Sequence, residues 1–416
     1  MSVIEWLTSK ILPEAVKAGS FGIDVRSFIS FEVSDQRAID QMCSDVIFGD
    51  VVLETTKNKQ LKIKVVIKTR RRSLDTLLET SKMFHNEVLF YTKILPLFKK
   101  YDRDNFLSTN ICEYVYGRAT NDHKLAEDVI ILKHLAQKCF KLSEDRLYLD
   151  QRHVELALDR IGRYHGISLL CQASDPQAFD EVASEIQYIP FSEDVGKEFG
   201  VSAFLRGLEP LKADEKYRDR LAGLIANCEG GLQLMARYTT DHSGPLSVIA
   251  HGDLTRNNMM FKYGPDGEPI EVAFFDFGTI NYCSPAIDVS TLLSCNVSAE
   301  MRRDHWDHFL QTYHGAVTCL MAGHPRTPSF ETVVLDLRRN GVYGYHQCAL
   351  FAPTMFNLIE GTLDLTPPEW EHLDEAQLKK EMLARTANFK DLAAHPKAVQ
   401  LMAGVARHML DKEYIF

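Results

Sequence analysis

Residues 251–278, which read HGDLTRNNMMFKYGPDGEPIEVAFFDFG, constrain the chain more than any other stretch. An acid, Asp253, is followed by an amide, Asn258, and a second acid, Asp276, opens an Asp-Phe-Gly triplet. Phosphoryl transfer requires one carboxylate to orient the attacking hydroxyl and accept its proton. It also requires an amide oxygen and a second carboxylate to hold Mg2+ on the nucleotide phosphates. We therefore predict that Asp253 is the catalytic base and that Asn258 and Asp276 bind Mg2+.

A β-hairpin is predicted between Asn258 and Asp276. Met259–Phe261 and Val272–Phe275 have strand character, and the sequence Pro-Asp-Gly at 265–267 can close the turn between them. An Asp-Phe-Gly turn alone is a weak signal, because acids and amides in a plain hairpin often only satisfy the turn backbone. The combination of loop, hairpin and triplet is far more specific and favours the catalytic interpretation.

A strand lysine is the second candidate feature. Strands are predicted at Phe31–Val33, Val46–Thr55 and Leu61–Thr69. Apolar residues alternate with lysines in the last of these, so that Lys68 projects from the face opposite the apolar set. In a kinase this strand delivers a lysine to the α- and β-phosphates. A solvated lysine is the alternative, and we interpret the other lysines of the strand in that way.

A long helix is predicted to follow, from Ser73, as its N-cap, to Ile94. Glu87 lies close to the apolar stripe of this helix, where an unpaired carboxylate would be costly. Pairing with Lys68 would remove that cost and aim the ammonium group at phosphate. The alternatives are a solvated Glu87, or Glu79 as the acid that pairs with the lysine.

The chain resembles the CHK kinase-like proteins, the ecdysteroid-kinase-like branch of the aminoglycoside and choline kinase superfamily. The likeness covers most of the chain in family order. It rests on HGDLTRNNMMF (251–261), VAFFDFGTINYCSPAIDVSTLL (272–293), VVIKT (65–69), HNEVLFYTKILP (85–96), LAQKCFKL (135–142) and YHGISLL (164–170). The match of HNEVLFYTKILP favours Glu87 over Glu79. The resemblance also implies that Asp288 braces the catalytic loop. His165 matches a histidine of the family, but we interpret it as structural, because a histidine near the end of a helix is more often a packing or capping residue than a catalyst.

The resemblance implies an α+β, two-lobed protein-kinase-like fold that uses ATP and Mg2+. The small lobe, residues 1–132, would hold an antiparallel sheet plus a helix, and the large lobe, residues 133–416, would be mostly helical. Helices are also predicted from apolar periodicity, with a loop-rich connection at 172–200. These helices are Val3–Pro13, Asp150–Ser168, Asp214–Tyr238, Ala299–Leu320, Phe330–Leu350, Pro368–Asn388 and His395–Tyr414. The first of them is expected to pack onto the small lobe; an anchor at a membrane surface is the alternative.

The nucleotide side departs from the family pattern in two places. The predicted phosphate-covering loop, SDQRAIDQMCSD at 34–45, has no glycine, although glycine lets a backbone approach an anion closely. Here Ser44 could supply a hydroxyl instead. The predicted hinge carries Lys133-His134 where relatives tend to have an acidic pair. We expect backbone groups near Leu132 and His134 to hold the adenine edge.

The acceptor is predicted to be a small molecule. After Gly278 the chain reaches Ser284-Pro285 and a helix at once, without the long activation segment that serves protein kinases as a peptide platform. Residues 341–357 are rich in aromatic side chains and Met, which would suit an apolar acceptor such as a hydroxylated steroid or a phenol. Ordinary helix core is the alternative for this segment.

Composition narrows the class of protein. A formal net charge of −10 argues against a general nucleic-acid binder. Nine cysteines without a Cys-x-x-Cys pair predict reduced thiols. The first residues lack the pattern of a secretory signal, and no apolar run is long enough for a membrane span. We expect a cytoplasmic, monomeric kinase; the alternative is a pseudokinase that binds a nucleotide or ligand without turnover.

Overall fold

A computed structural model describes most of the chain. The described residues are 2–36, 44–70, 79–121, 127–145, 147–190, 200–356, 373, 374, 376–378, 380, 381, 384 and 395–416. The fold is α+β with two lobes, as predicted: an antiparallel sheet in the amino-terminal lobe, followed by a mostly helical lobe. No helix among these residues has both the length and the apolar character needed to cross a membrane.

A five-stranded antiparallel sheet forms the framework of the amino-terminal lobe. Its strands are β1 (Val25–Val33), β2 (Ser44–Thr55), β3 (Gln60–Arg70), β4 (Tyr114–Arg118) and β5 (Val129–Lys133). The strand order is β1-β2-β3-β5-β4, so that β3 lies at the centre. All three predicted strands are confirmed within β1, β2 and β3. We keep the lobe boundary after residue 132, within β5, as a proposal.

The amino-terminal helix covers one face of this sheet, as predicted. It comprises α1 (Val3–Trp6), a π-helical turn (Leu7–Ile11) and α2 (Leu12–Lys17). The core that it shares with the sheet includes Trp6, Leu7, Ile11, Leu12, Val51, Leu53, Ile63, Val65 and Ile67. The predicted end of the helix near Pro13 is wrong. The wide π turn leaves room for the proline ring, and the helix continues.

A second helix packs against the opposite face of the sheet. It comprises α3 (Thr80–Leu89), a π-helical turn (Phe90–Ile94) and α4 (Leu95–Lys99). The predicted helix, Ser73–Ile94, is confirmed from Thr80 onward, but Glu79 before it has a left-handed backbone and the helix continues beyond Ile94 to Lys99. The proposed cap, Ser73, lies outside the described residues. As at the amino terminus, a π turn precedes a helical segment whose second residue is a proline, here Pro96 of α4, and the helix continues without a break.

Helices dominate the rest of the described chain. In chain order they are α5 (Phe106–Asn110), α6 (Gln151–Ser174), α7 (Pro176–Ala183), α8 (Val201–Arg206), α9 (Glu209–Lys212), α10 (Ala222–Glu229), α11 (Gly231–Thr240), α12 (Ala286–Cys295), α13 (Ala299–Leu320), α14 (Phe330–Asn340), α15 (Val342–Met355) and α16 (Pro396–Asp411). The predicted helix at Ala299–Leu320 is confirmed with the same bounds. One large core joins these helices to α3 and to the inner face of the sheet.

Several predicted boundaries in this region are wrong. The predicted helix Asp150–Ser168 is too short, because α6 continues to Ser174. The first part of the predicted connection, 172–200, is therefore helical, and Asp175, which accepts a hydrogen bond from the Ala178 amide, caps α7 directly after α6. The predicted helix Asp214–Tyr238 is divided into short segments. Phe330–Leu350 is interrupted at Gly341, where an added Cβ would lie 2.5 Å from the Leu337 carbonyl oxygen. Most of the predicted helix at 368–388 lies outside the described residues.

The predicted hairpin lies between the helices. Its strands are β8 (Met259–Tyr263) and β9 (Pro269–Phe274), and β6 (Phe140–Lys141) pairs with the outer side of β8. A separate antiparallel pair joins β7 (Val248–Ala250) to β10 (Asn281–Cys283). The predicted second strand is one residue too long, because the Phe275 amide leaves the ladder and donates to the Asn258 carbonyl. These strands bring both ends of the hairpin to one place.

Candidate active site

Lys68 lies between two carboxylates. Its Nζ atom is 2.6 Å from Oε2 of Glu87 on α3 and 2.7 Å from Oδ1 of Asp276. The side chains of Lys68 and Glu87 are nearly buried, whereas that of Asp276 is 47% exposed. The structure therefore brings together three residues that the sequence predicted from separate segments. A solvated strand lysine and a solvated helix glutamate, the two alternatives, do not describe this arrangement.

The three charges depend on one another. Burial disfavours the ammonium group of Lys68, but Asp276 and Glu87 outweigh it and raise the pKa of Lys68 above its usual value. Burial also opposes ionisation of Asp276, yet Lys68 lowers the pKa of this carboxyl. Burial raises the pKa of Glu87 to about 7, and Lys68 works against that rise. Burial therefore favours the protonated form of Glu87, and the ammonium group of Lys68 favours its carboxylate.

Asp253 and Asn258 form a second pair. The Asn258 side-chain nitrogen donates to Asp253 Oδ2 at 2.7 Å and to the Asp253 carbonyl at 2.9 Å. Oδ1 of Asp253 is buried and has no hydrogen-bond partner among the described residues. Because both bonds use the nitrogen of Asn258, its oxygen is the atom that could face a cation. The pair thus offers one carboxylate oxygen and one amide oxygen for further partners.

Burial raises the pKa of Asp253 to about 7, and the negative charge of Asp276 adds to the rise; the hydrogen bond from Asn258 opposes it. A base is most effective when its pKa lies near the operating pH, because it is then largely ionised yet still binds a proton well. The electrostatics of Asp253 therefore suit the role predicted for it.

Asp288 on α12 holds the backbone before Asp253. One carboxylate oxygen accepts from the His251 amide at 2.7 Å, and the other accepts from the Gly252 amide at 2.8 Å. His165 Nε2 lies 3.0 Å from the same carboxylate. All these groups are buried; burial opposes ionisation of Asp288, but the hydrogen bonds with His165 and with the His251 amide lower the pKa of this carboxyl overall. The structural roles expected for Asp288 and His165 are confirmed.

His251 also acts on the backbone. Its Nε2 is 2.9 Å from the Phe275 carbonyl oxygen, and its Nδ1 is 3.4 Å from the Asp253 amide. Burial lowers the pKa of the imidazole, so the neutral ring donates through Nε2 and accepts through Nδ1. The ring therefore ties the loop that carries Asp253 to the strand that leads to Asp276.

Gly252 is a site residue that the sequence did not single out. Its φ is +85°, and an added Cβ would lie 1.9 Å from the Thr279 carbonyl oxygen. Only glycine fits both the left-handed backbone and this close approach. The order His-Gly-Asp was the available signal, since a glycine placed next to a predicted catalytic acid often marks a crowded backbone.

Asp276 itself has a left-handed backbone, with φ +67° and ψ 63°. The next residue, Phe277, is buried and stacks on Phe90 with ring centroids 3.7 Å apart and an interplanar angle of 4°. His251 packs on the same phenyl ring at 4.6 Å. The buried phenyl ring thus anchors a strained position, from which Asp276 points back to Lys68.

Strand register places the nucleotide-side candidates on the face of Lys68. Directly paired residues share a face, and side chains alternate along a strand. Ser44 pairs with Arg70, two residues after Lys68, and Leu132 pairs with Val66, two residues before it. Both candidates are therefore on the side of the sheet that faces α3. The rest of the glycine-free loop, 37–43, lies outside the described residues.

His134 differs from the prediction that its backbone is available to adenine. Its amide donates to the Lys64 carbonyl at 2.9 Å, and its carbonyl accepts from the Gln137 amide at 3.1 Å. The ring lies edge-on to Phe48 at 5.3 Å, and neither ring nitrogen has a partner among the described residues. Burial lowers the pKa of His134. The polar groups of His134 that have no partner among the described residues are therefore the two nitrogens of a neutral imidazole ring.

The exit from the site is short, as predicted. From Asp276 the chain forms a single turn at Phe277–Thr279, then β10, then α12. β10 pairs with β7 directly before the catalytic loop. The described part of this region therefore contains no extended peptide platform.

The aromatic segment at 341–357 behaves largely as helix core. On α15, Tyr345 donates to the Phe204 carbonyl at 2.6 Å, and an added Cβ on Gly344 would lie 2.3 Å from the Ser290 carbonyl oxygen. Tyr343 and Gln347 are also buried, and Oε1 of Gln347 has no partner among the described residues. This supports the alternative of core packing for most of the segment.

The oxygen donors at the site fit a hard divalent cation. Asn258 and Asp276 would hold Mg2+ through an amide oxygen and a carboxylate oxygen, the ligand types that this ion prefers. The side-chain oxygen of Asn258, which neither hydrogen bond to Asp253 uses, and the exposed side of Asp276 leave oxygen atoms for such a cation. The site contains acid, amide and ammonium groups in the combination that phosphoryl transfer requires.

The chain was compared with protein families and with solved structures. The sequence profile of the ecdysteroid kinase-like family matches residues 38–322, more than half of the chain. Among solved structures, the chain is similar to an ethanolamine kinase from Plasmodium vivax. The sequences are 14% identical, the match covers 86% of this chain and 82% of that one, and the TM-score is 0.37. No curated protein matches the sequence.

Proposed function

The chain belongs to the ecdysteroid kinase-like family, and on this premise we propose that it is an ATP- and Mg2+-dependent small-molecule kinase. It transfers the γ-phosphoryl group of ATP to a hydroxyl group of a small, largely apolar metabolite, such as a hydroxylated steroid or a phenol. The observation that carries the proposal is the convergence of Lys68, Glu87 and Asp276 next to the Asp253–Asn258 pair.

Asp253 acts as the base. Oδ2 is held by Asn258, so Oδ1 is the oxygen that receives the acceptor hydroxyl. As the hydroxyl oxygen forms its bond to the γ-phosphorus, the proton passes to Asp253 and the bond between the γ-phosphorus and the β–γ bridging oxygen breaks. ADP leaves with that oxygen. Proton transfer to a positioned base contributes about 10²–10⁴-fold to such a rate.

Lys68 holds the nucleotide phosphates, and Glu87 fixes its position. The ammonium group contacts both Glu87 and Asp276. Asn258 and Asp276 would hold Mg2+, which would neutralise charge on the phosphates when bound. The buried Glu87 keeps Lys68 in position beside the phosphates.

The base of ATP is proposed to lie on the Lys68 face of the sheet, against Leu132 and the ring of His134. A neutral imidazole can donate one hydrogen bond and accept another, which suits the edge of a purine. Ser44, the first residue of β2, is proposed to contact phosphate. The cytoplasmic location, the monomeric state and the absence of nucleic-acid binding remain predictions from the sequence.

The test is direct phosphoryl transfer. The purified protein is incubated with Mg2+ and γ-labelled ATP, together with a panel of hydroxylated steroids, phenols, choline and aminoglycosides, and phosphorylated acceptors are identified by mass spectrometry. We expect label on at least one acceptor, and none with Asp253→Asn. Absence of ATP binding by calorimetry would contradict the proposal. Binding of ATP without transfer to any acceptor would favour the pseudokinase alternative.

A further inference from the structure

Asn86, the residue before Glu87, makes a reciprocal pair of hydrogen bonds with a distant backbone. Its Nδ2 donates to the Gln187 carbonyl at 2.8 Å, and its Oδ1 accepts from the Gln187 amide at 2.9 Å. Nδ2 also lies 3.4 Å from the Gly278 carbonyl oxygen. The side chain is completely buried. One amide group thus joins α3 to two separate segments of the large lobe.

The contact is part of a longer junction. Gln187 lies in the non-helical segment 185–187, which follows α7 and begins as a turn. His85 Nε2 is 3.0 Å from the Glu185 carbonyl oxygen, and Lys93 Nζ reaches both carboxylate oxygens of Glu185, at 2.8 and 2.6 Å. The ion pair with Lys93 is exposed, and such pairs contribute little. Among these contacts, the buried one at Asn86 has the largest consequence if it is lost.

Burial makes the pairing at Asn86 selective. A buried amide that loses its partners leaves a donor and an acceptor unsatisfied, which costs more than the bonds contribute when formed. Aspartate in the same place could accept from the Gln187 amide but could not donate to the two carbonyl groups. Alanine would leave the backbone of Gln187 without its side-chain partner. Of the three side chains, only asparagine satisfies both sides of the pair.

We propose that Asn86 is a positioning residue that locks α3 against residues 185–187 and Gly278, so that Glu87 stands where it can hold Lys68. Neighbouring side chains on a helix share its rigid backbone, so a shift of α3 at Asn86 also moves Glu87. The role in the reaction rests on the proposed kinase function. The docking of α3 does not, because it is a property of the folded chain without nucleotide.

The experiment compares Asn86→Ala and Asn86→Asp with Lys93→Met as the matched control on the same helix. Hydrogen exchange measures the protection of the Gln187 amide, and steady-state kinetics give KM for ATP and kcat separately. We expect Asn86→Ala to exchange that amide at least about tenfold faster, whereas Asn86→Asp keeps an acceptor for it and should protect it better than Asn86→Ala does. Both Asn86 variants should raise KM for ATP by about tenfold or more. Lys93→Met should leave both quantities within about twofold. A purely structural role would lower the yield of folded protein without moving KM.

A variant on the other side of the junction covers the case in which the Asn86 substitutions fail to fold. Gln187→Pro removes the amide hydrogen that Asn86 Oδ1 accepts, and we expect the same rise in KM for ATP. Unchanged protection in Asn86→Ala, or an unchanged KM in every folded variant, overturns the proposal. If the native protein phosphorylates no acceptor, calorimetric affinity for ATP replaces KM. The exchange result then still tests the docking, while the kinase proposal alone has failed.

Discussion

The side-chain nitrogen of Asn258 lies 2.7 Å from Oδ2 of Asp253, so the proposed metal ligand also orients the proposed base. One residue thereby serves two functions through two different atoms. The nitrogen fixes which carboxylate oxygen of Asp253 is left for the acceptor, and the oxygen is left for the cation. Substitutions of Asn258 should consequently affect both metal dependence and proton transfer.

Two substitutions of Asn258 should separate these effects. Asn258→Ala removes the metal ligand and the donor to Asp253, and we expect kcat/KM to fall at least about 10²-fold. Asn258→Asp keeps an oxygen ligand but places a second carboxylate against Asp253, which raises the pKa of Asp253 further. Its activity should therefore recover partly at high pH. Exposed Asn257 is the matched control, and Asn257→Ala should change kcat/KM less than about twofold.

The pH dependence should follow ionisation of Asp253. The residue must be deprotonated to accept a proton, and its pKa is raised to about 7 by burial and by the charge of Asp276. We therefore expect kcat/KM to be constant at high pH and to fall about tenfold per pH unit below about pH 7. The pH profile of kcat/KM for ATP, measured at a saturating concentration of acceptor, checks this expectation.

Magnesium gives the matching control for that profile. Because the charge of Asp276 contributes to the raised pKa of Asp253, a cation bound at Asp276 should lower this pKa. Higher Mg2+ concentrations should then move the acidic limb to lower pH. If the residual activity of Asp253→Asn shows the same acidic limb, a group other than Asp253 causes that limb.

The buried pair at Lys68 should be more sensitive than the exposed lysines of the same strand. Lys68→Met removes the phosphate contact and leaves Glu87 buried without a counter-charge, and we expect kcat/KM for ATP to fall about 10²–10³-fold. Glu87→Gln retains a hydrogen-bonding group and should cost less. Lys62, which pairs with Glu32 at the surface, is the control: equal losses in Lys62→Met and Lys68→Met would contradict the role given to Lys68.

Alanine substitutions at two glycines with nearly the same φ should distinguish the effect of steric crowding from that of backbone strain. Gly252 has φ +85° and a Cβ position 1.9 Å from the Thr279 carbonyl oxygen, whereas Gly267 has φ +84° and open space around its Cβ position. Gly267→Ala should cost about 1–2 kcal/mol of unfolding free energy and leave kcat intact. Gly252→Ala should cost a further 1–3 kcal/mol or so and abolish turnover. Thermal unfolding and kcat of both variants provide the comparison.

Much of the site could be predicted because its residues lie on regular elements or in a short loop. The alternation in β3 placed Lys68 opposite the apolar set, and the apolar stripe of α3 placed Glu87 near it; the two residues contact each other. The spacing of Asp253, Asn258 and Asp276 follows from a hairpin whose strands can be recognised locally. The spacing of apolar residues reveals these positions because it shows which face of a strand or helix is buried.

Other features depend on contacts between distant segments. Pro13 indicated a helix end, but a π turn precedes it and the helix continues. Asn86 looked like an ordinary helix residue because its partner, Gln187, is a backbone group in another segment. The paired backbone of His134 was equally hidden, since its amide partner lies on β3. The sequence identifies each side chain, but these features depend on which main-chain groups of distant segments contact it.

The pairing of β7 with β10 has a consequence for control of the enzyme. Protein kinases are often switched by a segment after the Asp-Phe-Gly triplet that changes between ordered and disordered states on phosphorylation. Here the corresponding residues, Asn281–Cys283, are hydrogen-bonded to the strand that enters the catalytic loop. Releasing them would disturb the loop that carries Asp253. We therefore expect a constitutively competent enzyme, whose output in the cell follows its abundance and the supply of ATP and acceptor.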